Sequence, residues 1–308
     1  MNAIAVAQFK ATPELMTLPE PVLRPGTVII KVAAGGMNPF DWKIIDGILD
    51  GQMPHVFPII MGTDGAGTIT AVGEGVTRFK TGDEVYGQFI HAPIGEGAYA
   101  EYAIVPDTAV ISRVPKSISL VEAASIPTSG MTAQQLIEKS GLKHEQTLLL
   151  VGATGGVGSF LIQVAAMQGI YVIATVSDEE GAARVKALGA KETINYKKLS
   201  VPSEVKAKYP DGVDGLIDLA SGKEDFAAML KLVRAGGPAL TTNFVAADNA
   251  MNFETKSTVA SLDALTDAVD NGMIKVPVDR VISLSEVPEA IALSRQGRSK
   301  GKTIVKIS

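Results

Sequence analysis

There is no cysteine among the 308 residues, which excludes disulfides, thiolate nucleophiles and cysteine-based zinc sites together. Histidine is nearly as scarce. His55, His91 and His144 are the only three, and no two stand at a ligand spacing such as i, i+4, so each reads as a loop or surface residue. No uninterrupted apolar run approaches the roughly 18 residues a membrane helix needs, and the opening Met1-Asn2-Ala3-Ile4-Ala5-Val6 is too short and too poor in basic residues for a secretory signal. Positive charge is in deficit: the formal net charge is −5, which argues against a general nucleic-acid binder. The expectation is a cytoplasmic protein with neither a membrane nor a nucleic-acid partner. With 46% hydrophobic and 20% charged residues the chain is globular rather than disordered, and its length suits about two domains.

Two rhythms divide the chain. Up to about residue 120 short β-rich runs alternate with glycine and proline. Strands are expected over 27–32, 67–72, 84–87 and 98–103, in a folded-over barrel or sandwich. The pattern turns helical over 121–141, broken by Pro127 and Gly130. From Gln146 strand and helix alternate: strands over 148–151, 171–175, 193–195, 215–218 and 239–242, helices over 156–168, 181–188, 201–208 and 223–232. That rhythm predicts a parallel sheet with right-handed crossovers. A helix over 262–271 leads to a short tail, and the run 302–307 reads as a strand returning to the N-terminal β region. One α/β domain is thus inserted into a discontinuous β-rich one.

The most informative stretch is Leu148 to Gly158, where four apolar residues run into a glycine-rich turn followed by an apolar helical pattern. Ala153-Thr154-Gly155-Gly156-Val157-Gly158 matches G-x-G-x-x-G with alanine for the first glycine. Strand, tight turn and helix in that order bring backbone N–H groups and a helix N-terminus to a diphosphate; the alternative is a turn that merely packs tightly. At the second strand end, where NAD enzymes usually carry Asp or Glu, stands Ser177. A hydroxyl tolerates a 2′-phosphate, so NADPH is favoured over NADH, although Asp178, Glu179 and Glu180 follow. Arg184, Tyr196 and Arg298 are candidate phosphate partners, or plain surface residues.

Several segments combine into a family resemblance. Asn38-Pro39-Phe40-Asp41-Trp42-Lys43 resembles the N-P-x-D segment of the zinc-free medium-chain dehydrogenase/reductases. Met61 to Gly67 resembles the following G-x-D-x-x-G segment, Gly82-Asp83-Glu84-Val85 the G-D-x-V segment, and Gly97 to Tyr102 the G-x-x-A-E-Y segment. Gly130 to Ala133, Leu188 to Ala190 and Gly297 to Lys302 also match, so the resemblance runs from end to end and is nearest the quinone oxidoreductase (zeta-crystallin-like) branch. It implies an α/β fold: a GroES-like β-rich catalytic domain over 1–122 and 263–308, and a Rossmann doubly wound parallel sheet over 123–262. In zinc alcohol dehydrogenases of this superfamily Cys and His sit where this chain has Asn38 and Thr63, so no metal is expected. Many relatives carry Arg where this chain has Ile45 and Asp46, and many NADPH users carry Lys at the position of Gly181.

The resemblance implies NADPH-dependent, metal-independent hydride transfer to a quinone or an α,β-unsaturated carbonyl. Such an acceptor needs orientation and hydrogen bonds more than a dedicated acid or base. Alternatives are a 2-alkenal or enoyl reductase of a specific pathway, and a non-enzymatic NADPH-binding structural or regulatory protein. By position, Asn38 and Asp41 are expected at the reaction site, Thr132 on the nicotinamide side of the cofactor, and Asn243 and Phe244 beside the nicotinamide. Asn38-Pro39 also reads as a simple turn and Asp41 as a helix cap. Trp42, the single tryptophan, either stacks on a flat acceptor or packs. Tyr86, Phe89 and His91 either wall the pocket or belong to the core, and Lys43 either polarises a carbonyl or faces solvent. A homodimer pairing through the sheet edge near Asn252-Phe253-Glu254 is expected from the relatives.

Overall fold

The computed structural model describes residues 1–246, 249–299 and 301–308. Strands β1 (Asn2–Val6), β2 (Glu14–Thr17) and β3 (Thr27–Gly36) precede helix α1 (Pro39–Ile45). Strands β4 (Ile59–Ile60), β5 (Asp64–Val72), β6 (Glu84–Gln88), β7 (Tyr102–Pro106) and β8 (Ile111–Arg113) lead to α2 (Leu120–Ala123) and α3 (Pro127–Ser140). There follow β9 (Thr147–Val151), α4 (Gly156–Met167), β10 (Tyr171–Val176), α5 (Glu179–Ala187) and β11 (Glu192–Asn195). Next come α6 (Val201–Lys208), β12 (Gly215–Asp218), α7 (Lys223–Leu230), β13 (Ala239–Thr241) and β14 (Met251–Asn252). The last elements are α8 (Val259–Asp270), β15 (Arg280–Ser283), α9 (Val287–Arg295) and β16 (Thr303–Lys306).

The chain divides into two compact units. The first comprises Met1–Thr128, Ser257–Gly272 and Val276–Ser308. Its long strand β3 forms where Val28, Ile30 and Val32 alternate with less buried residues, the period-two pattern of a sheet with one buried face. β3 anchors a sheet ordered β15-β16-β3-β5-β6-β8, with β7 also pairing to β3; a smaller sheet is ordered β2-β1-β4. The expected return of the C-terminal strand is seen: β16 pairs antiparallel to β3, Ile304 opposite Gly36. One core gathers Ile4, Val6, Ile44, Ile45, Tyr99, Ile291 and Val305, another Val28, Ile30, Val32, Ile69, Val85 and Phe89.

The second unit comprises Ser129–Lys256 and Met273–Lys275. Among the described residues its six strands are ordered β11-β10-β9-β12-β13-β14, all parallel. In chain order that is 3-2-1-4-5-6, the order of a dinucleotide-binding sheet. Leu148, Leu149, Leu150, Val172, Ile173 and Ala174 are all but fully buried, as strands covered on both faces require.

Three expectations are corrected. Residues 98–100 do not form a regular strand: Ala98 and Tyr99 donate single bonds to Gly62 and Met61, and the ladder starts at Tyr102. The helical stretch 121–141 is interrupted before Pro127, which opens α3 where its missing N–H costs nothing, but not at Gly130, which is buried inside α3. The tail holds β15 and α9, which the sequence pattern did not reveal.

Candidate functional site

In the second unit, β9 ends at Val151 and the chain turns through Gly152, at φ +81°, into α4. Gly155 is the N-cap and offers no side chain, so the first-turn N–H groups of α4 face outwards with the positive end of the helix dipole behind them. A Cβ at Gly158 would lie 2.5 Å from the Ala153 carbonyl oxygen and 2.6 Å from that of Gly152, both backbone atoms. Gly158 therefore permits the close helix–strand packing, whereas a Cβ at Gly155 would meet only Gly152 O at 3.4 Å. β10 and β12 flank β9 on opposite sides, so the turn stands where the strand order reverses, outside the carboxyl ends of the strands. These residues fit a dinucleotide diphosphate.

Three of the sequence-selected residues stand around the end of β10, and one of them, Arg184, reaches this turn. Arg184 of α5 donates to Thr154 O at 2.9 Å, and the Tyr196 N–H donates to Val176 O at 3.0 Å with its ring half-exposed. The Ser177 hydroxyl donates to Asp178 Oδ2 at 2.9 Å, while Asp178 Oδ1 accepts the Gly181 N–H at 2.8 Å as the N-cap of α5. Asp178 is thus a capping residue whose second oxygen accepts from the Ser177 hydroxyl. Ala153 is buried, and Gly156 and Val157 open α4. Asn243 is held by Nδ2 donating to Ser221 O at 3.1 Å, and Phe244, at φ +56°, is half-exposed. Both follow β13 at the same carboxyl edge. The Thr132 hydroxyl is bonded to that of Thr255 at 2.6 Å. Arg298 lies in the first unit, exposed in the segment after α9. Lys300 of the same terminal motif lies outside the described residues.

The first unit holds a buried polar cluster. Asp41 stands in the first turn of α1, where its Oδ2 accepts the Asn38 N–H at 2.8 Å and the Tyr99 hydroxyl at 2.7 Å. Its Oδ1 accepts the Thr63 N–H at 2.8 Å and the Thr63 hydroxyl at 2.7 Å. All this takes place at 2% exposure. Burial raises the Asp41 carboxyl above the usual range, opposed by these four donors. Asp41 therefore caps and clamps, the reading its position after Asn38-Pro39 allowed.

Asn38 is engaged on three sides. Its Nδ2 donates to Asp64 Oδ2 at 2.8 Å and Gly36 O at 3.2 Å, and its Oδ1 accepts from Lys302 Nζ at 2.8 Å. Lys302 also donates to Met37 O at 3.2 Å and stands 3.8 Å from Asp64 Oδ2. Thr128 donates both its N–H and its hydroxyl to Asp64, at 3.0 and 2.6 Å. Burial lifts the Asp64 carboxyl to about 6, with the Lys302 charge opposing, and burial lowers the Lys302 ammonium. Sequence reasoning missed Asp64, Thr128 and Lys302 as members of this cluster. The only available signal was that Asp64 and Lys302 lie inside quoted motifs; nothing local places Lys302 on a residue 264 positions away.

The aromatic pocket-wall candidates are corrected. Tyr86 and Phe89 are at 0% exposure: the Tyr86 hydroxyl bonds Leu262 O and Thr266, and Phe89 packs in the second core under Gly65. Both belong to the interior, the alternative open to them. Trp42 is half-buried and pinned by its Nε1 donating to Ser294 Oγ of α9 at 3.2 Å, with Lys43 and Arg295 over its ring. His91 is tied to Ile104 O and paired with Glu96 at 3.1 Å.

Comparison with known proteins adds the following. Residues 24–116 match the family model of the alcohol dehydrogenase GroES-like domain, and residues 156–270 that of the zinc-binding dehydrogenases. The chain is 31% identical to the chloroplast envelope quinone oxidoreductase homolog of Arabidopsis thaliana over 95% of its own length and 93% of the relative's. It superposes on the quinone oxidoreductase of Coxiella burnetii with a TM-score of 0.87 at 28% identity, covering 100% and 99% of the two chains. A mycobacterial structure complexed with NADPH gives a TM-score of 0.84 at 25% identity and 99% coverage of each. The second family model is described by zinc, and the donors present do not fit that ion. Asn38 and Thr63 offer an amide and a hydroxyl, and an ammonium already occupies the Asn38 oxygen. Among the described residues no three His, Cys, Asp or Glu side chains converge to hold a metal. No helix among them is long and apolar enough to cross a membrane.

Proposed function

Since the chain belongs to the quinone oxidoreductase branch of the medium-chain dehydrogenase/reductase superfamily, we propose that it is an NAD(P)H-dependent oxidoreductase that transfers hydride to quinones or α,β-unsaturated carbonyls, with NADPH as cofactor and no metal. The observation that carries this reading is the uncapped N-terminus of α4 at the reversal point of a 3-2-1-4-5-6 parallel sheet. The dihydronicotinamide, when bound, supplies the hydride. The chain's own part is to bind and orient. Backbone N–H groups of 156 and 157 hold the diphosphate, Ser177, Arg184 and Tyr196 surround the adenosine ribose, and Asn243, Phe244 and Thr132 address the nicotinamide end. Asn38 and Asp41 fix the acceptor-side segment. A quinol or enolate oxygen takes its proton from water, which is consistent with an Asp41 whose lone pairs are already engaged by four donors.

One observation favours NADH as a second reading. The Ser177 hydroxyl is directed onto the Asp178 carboxylate, which sets a negative group at the ribose end. Steady-state oxidation of NADPH and of NADH with a quinone and with an enal separates these readings. The expected result is turnover with the quinone or the enal and a higher kcat/KM for NADPH. A preference for NADH moves the assignment to the Asp178 reading, and NADPH binding without turnover of any acceptor leaves a cofactor-binding protein. The exposed edge strand β14 is the surface through which a homodimer is proposed to pair, which sedimentation equilibrium checks.

A further inference from the structure

We propose that Lys302 is a positioning residue: through the Asn38 side chain its buried ammonium fixes the entry to α1, and so the acceptor-side segment of the reaction proposed above, on whose reading this inference rests. Four segments distant in sequence converge on one charge pair: residues 37–38, Asp64 at the start of β5, Thr128 in the first turn of α3, and Lys302 just before β16. Lys302 is 2% exposed and Asp64 0%. Stability alone does not explain such a pair, because desolvating two charges costs about as much as their attraction returns and apolar residues of similar volume serve as well.

What the pair does that apolar residues cannot is orient an amide. The Asn38 oxygen faces the ammonium at 2.8 Å and its nitrogen faces the carboxylate at 2.8 Å. A flipped amide would set NH₂ against NH₃⁺ and oxygen against carboxylate, so the two charges permit one orientation only. The backbone is gripped at the same place. Met37 N–H donates to Thr303 O at 3.0 Å, Met37 O accepts from Lys302, and Asn38 N–H runs to Asp41. Lys302 itself is set by Gly301, at φ +63°, where a Cβ would collide with the Asp279 carboxylate. The Asp64 carboxylate that faces Asn38 also takes both donors of Thr128, so the start of α3 is tied to the same charge. Removal of the ammonium is expected to free the Asn38 amide and loosen α1, whose third residue after Pro39 is the single tryptophan, Trp42.

The test uses the full chain as wild type, Lys302→Met and the double variant Lys302→Met with Asp64→Asn, which removes both members of the pair and leaves Asp41 on its four donors. Melting temperature, NADPH dissociation constant, quinone kinetics and acrylamide quenching of Trp42 are measured for each. The single variant is expected to melt lower. The double variant is expected to regain the melting temperature while kcat/KM for the quinone stays down by at least about tenfold, with NADPH affinity within about twofold of wild type. Its Trp42 quenching constant is expected to rise by about twofold or more, as a less firmly seated α1 requires. A double variant that regains the melting temperature together with wild-type quenching and turnover overturns the proposal, since the pair is then structural only. If the wild type binds NADPH but turns over no acceptor, the functional reading fails instead, and the Trp42 quenching alone upholds or overturns the positioning of α1.

Discussion

The Asp41 carboxylate has four donors and 2% exposure, and it shows how one side chain can look catalytic in a motif while being saturated in the fold. Asp41→Ala leaves Thr63, Tyr99 and the Asn38 N–H without an acceptor in a dry interior. The expected loss is about 3–5 kcal/mol in the stability of the first unit, measured by urea denaturation. Asp64 carries a pH signature. Burial raises its carboxyl to about 6, so the folded chain keeps a proton that the unfolded chain releases near the ordinary value of about 4. The stabilisation is complete below that ordinary value and is lost as pH rises through about 6. Wild type is therefore expected to lose on the order of 3 kcal/mol relative to the Lys302→Met, Asp64→Asn double variant between pH 4 and 7. Denaturant midpoints across that range check it, and a flat difference refutes it. Asp41 was legible as a cap because the signal is local, three residues after the N-cap Asn38. Lys302 was not legible as its partner, because ion pairing between distant positions leaves no periodic trace.

The turn from β9 into α4 separates two jobs of glycine. Gly158→Ala sets a methyl 2.5 Å from backbone oxygen that cannot move aside, so the second unit is expected to unfold or melt markedly lower. Gly155→Ala meets only ordinary contact distances, so the fold is expected to hold while NADPH binds more weakly, because the methyl crowds the diphosphate. Melting curves read beside NADPH titrations of the two variants distinguish these outcomes. β9, β10 and β12 were plain in sequence because strands buried on both faces are written as short apolar runs between turns. The shorter elements of the β-rich unit were not. Residues 98–100 resemble a strand in composition but bond singly to Gly62 and Met61, and α9 exposes enough of its surface to blur its period.

The first unit is assembled from both ends of the chain, and its sheet closes only when β16 pairs with β3 and β15. A chain truncated after residue 299 loses β16, with Ile304 and Val305 from the core, and Lys302 from the Asn38 cluster. The first unit is then expected to lose its fold while the second, apart from Met273–Lys275 one continuous stretch, keeps NADPH binding; circular dichroism and a fluorescence titration read the two separately. By itself the sequence determined the alternation of β9 to β13 with their helices, the glycine turn and the family motifs. Each of these is carried by neighbouring residues whose spacing obeys helix or strand periodicity. The tertiary structure alone decided that Tyr86 and Phe89 are interior, that Asp178 takes the Ser177 hydroxyl, and that Lys302, Asn38 and Asp64 share one buried charge cluster. Burial and long-range hydrogen bonding depend on which surfaces folding brings together, and no local pattern encodes that.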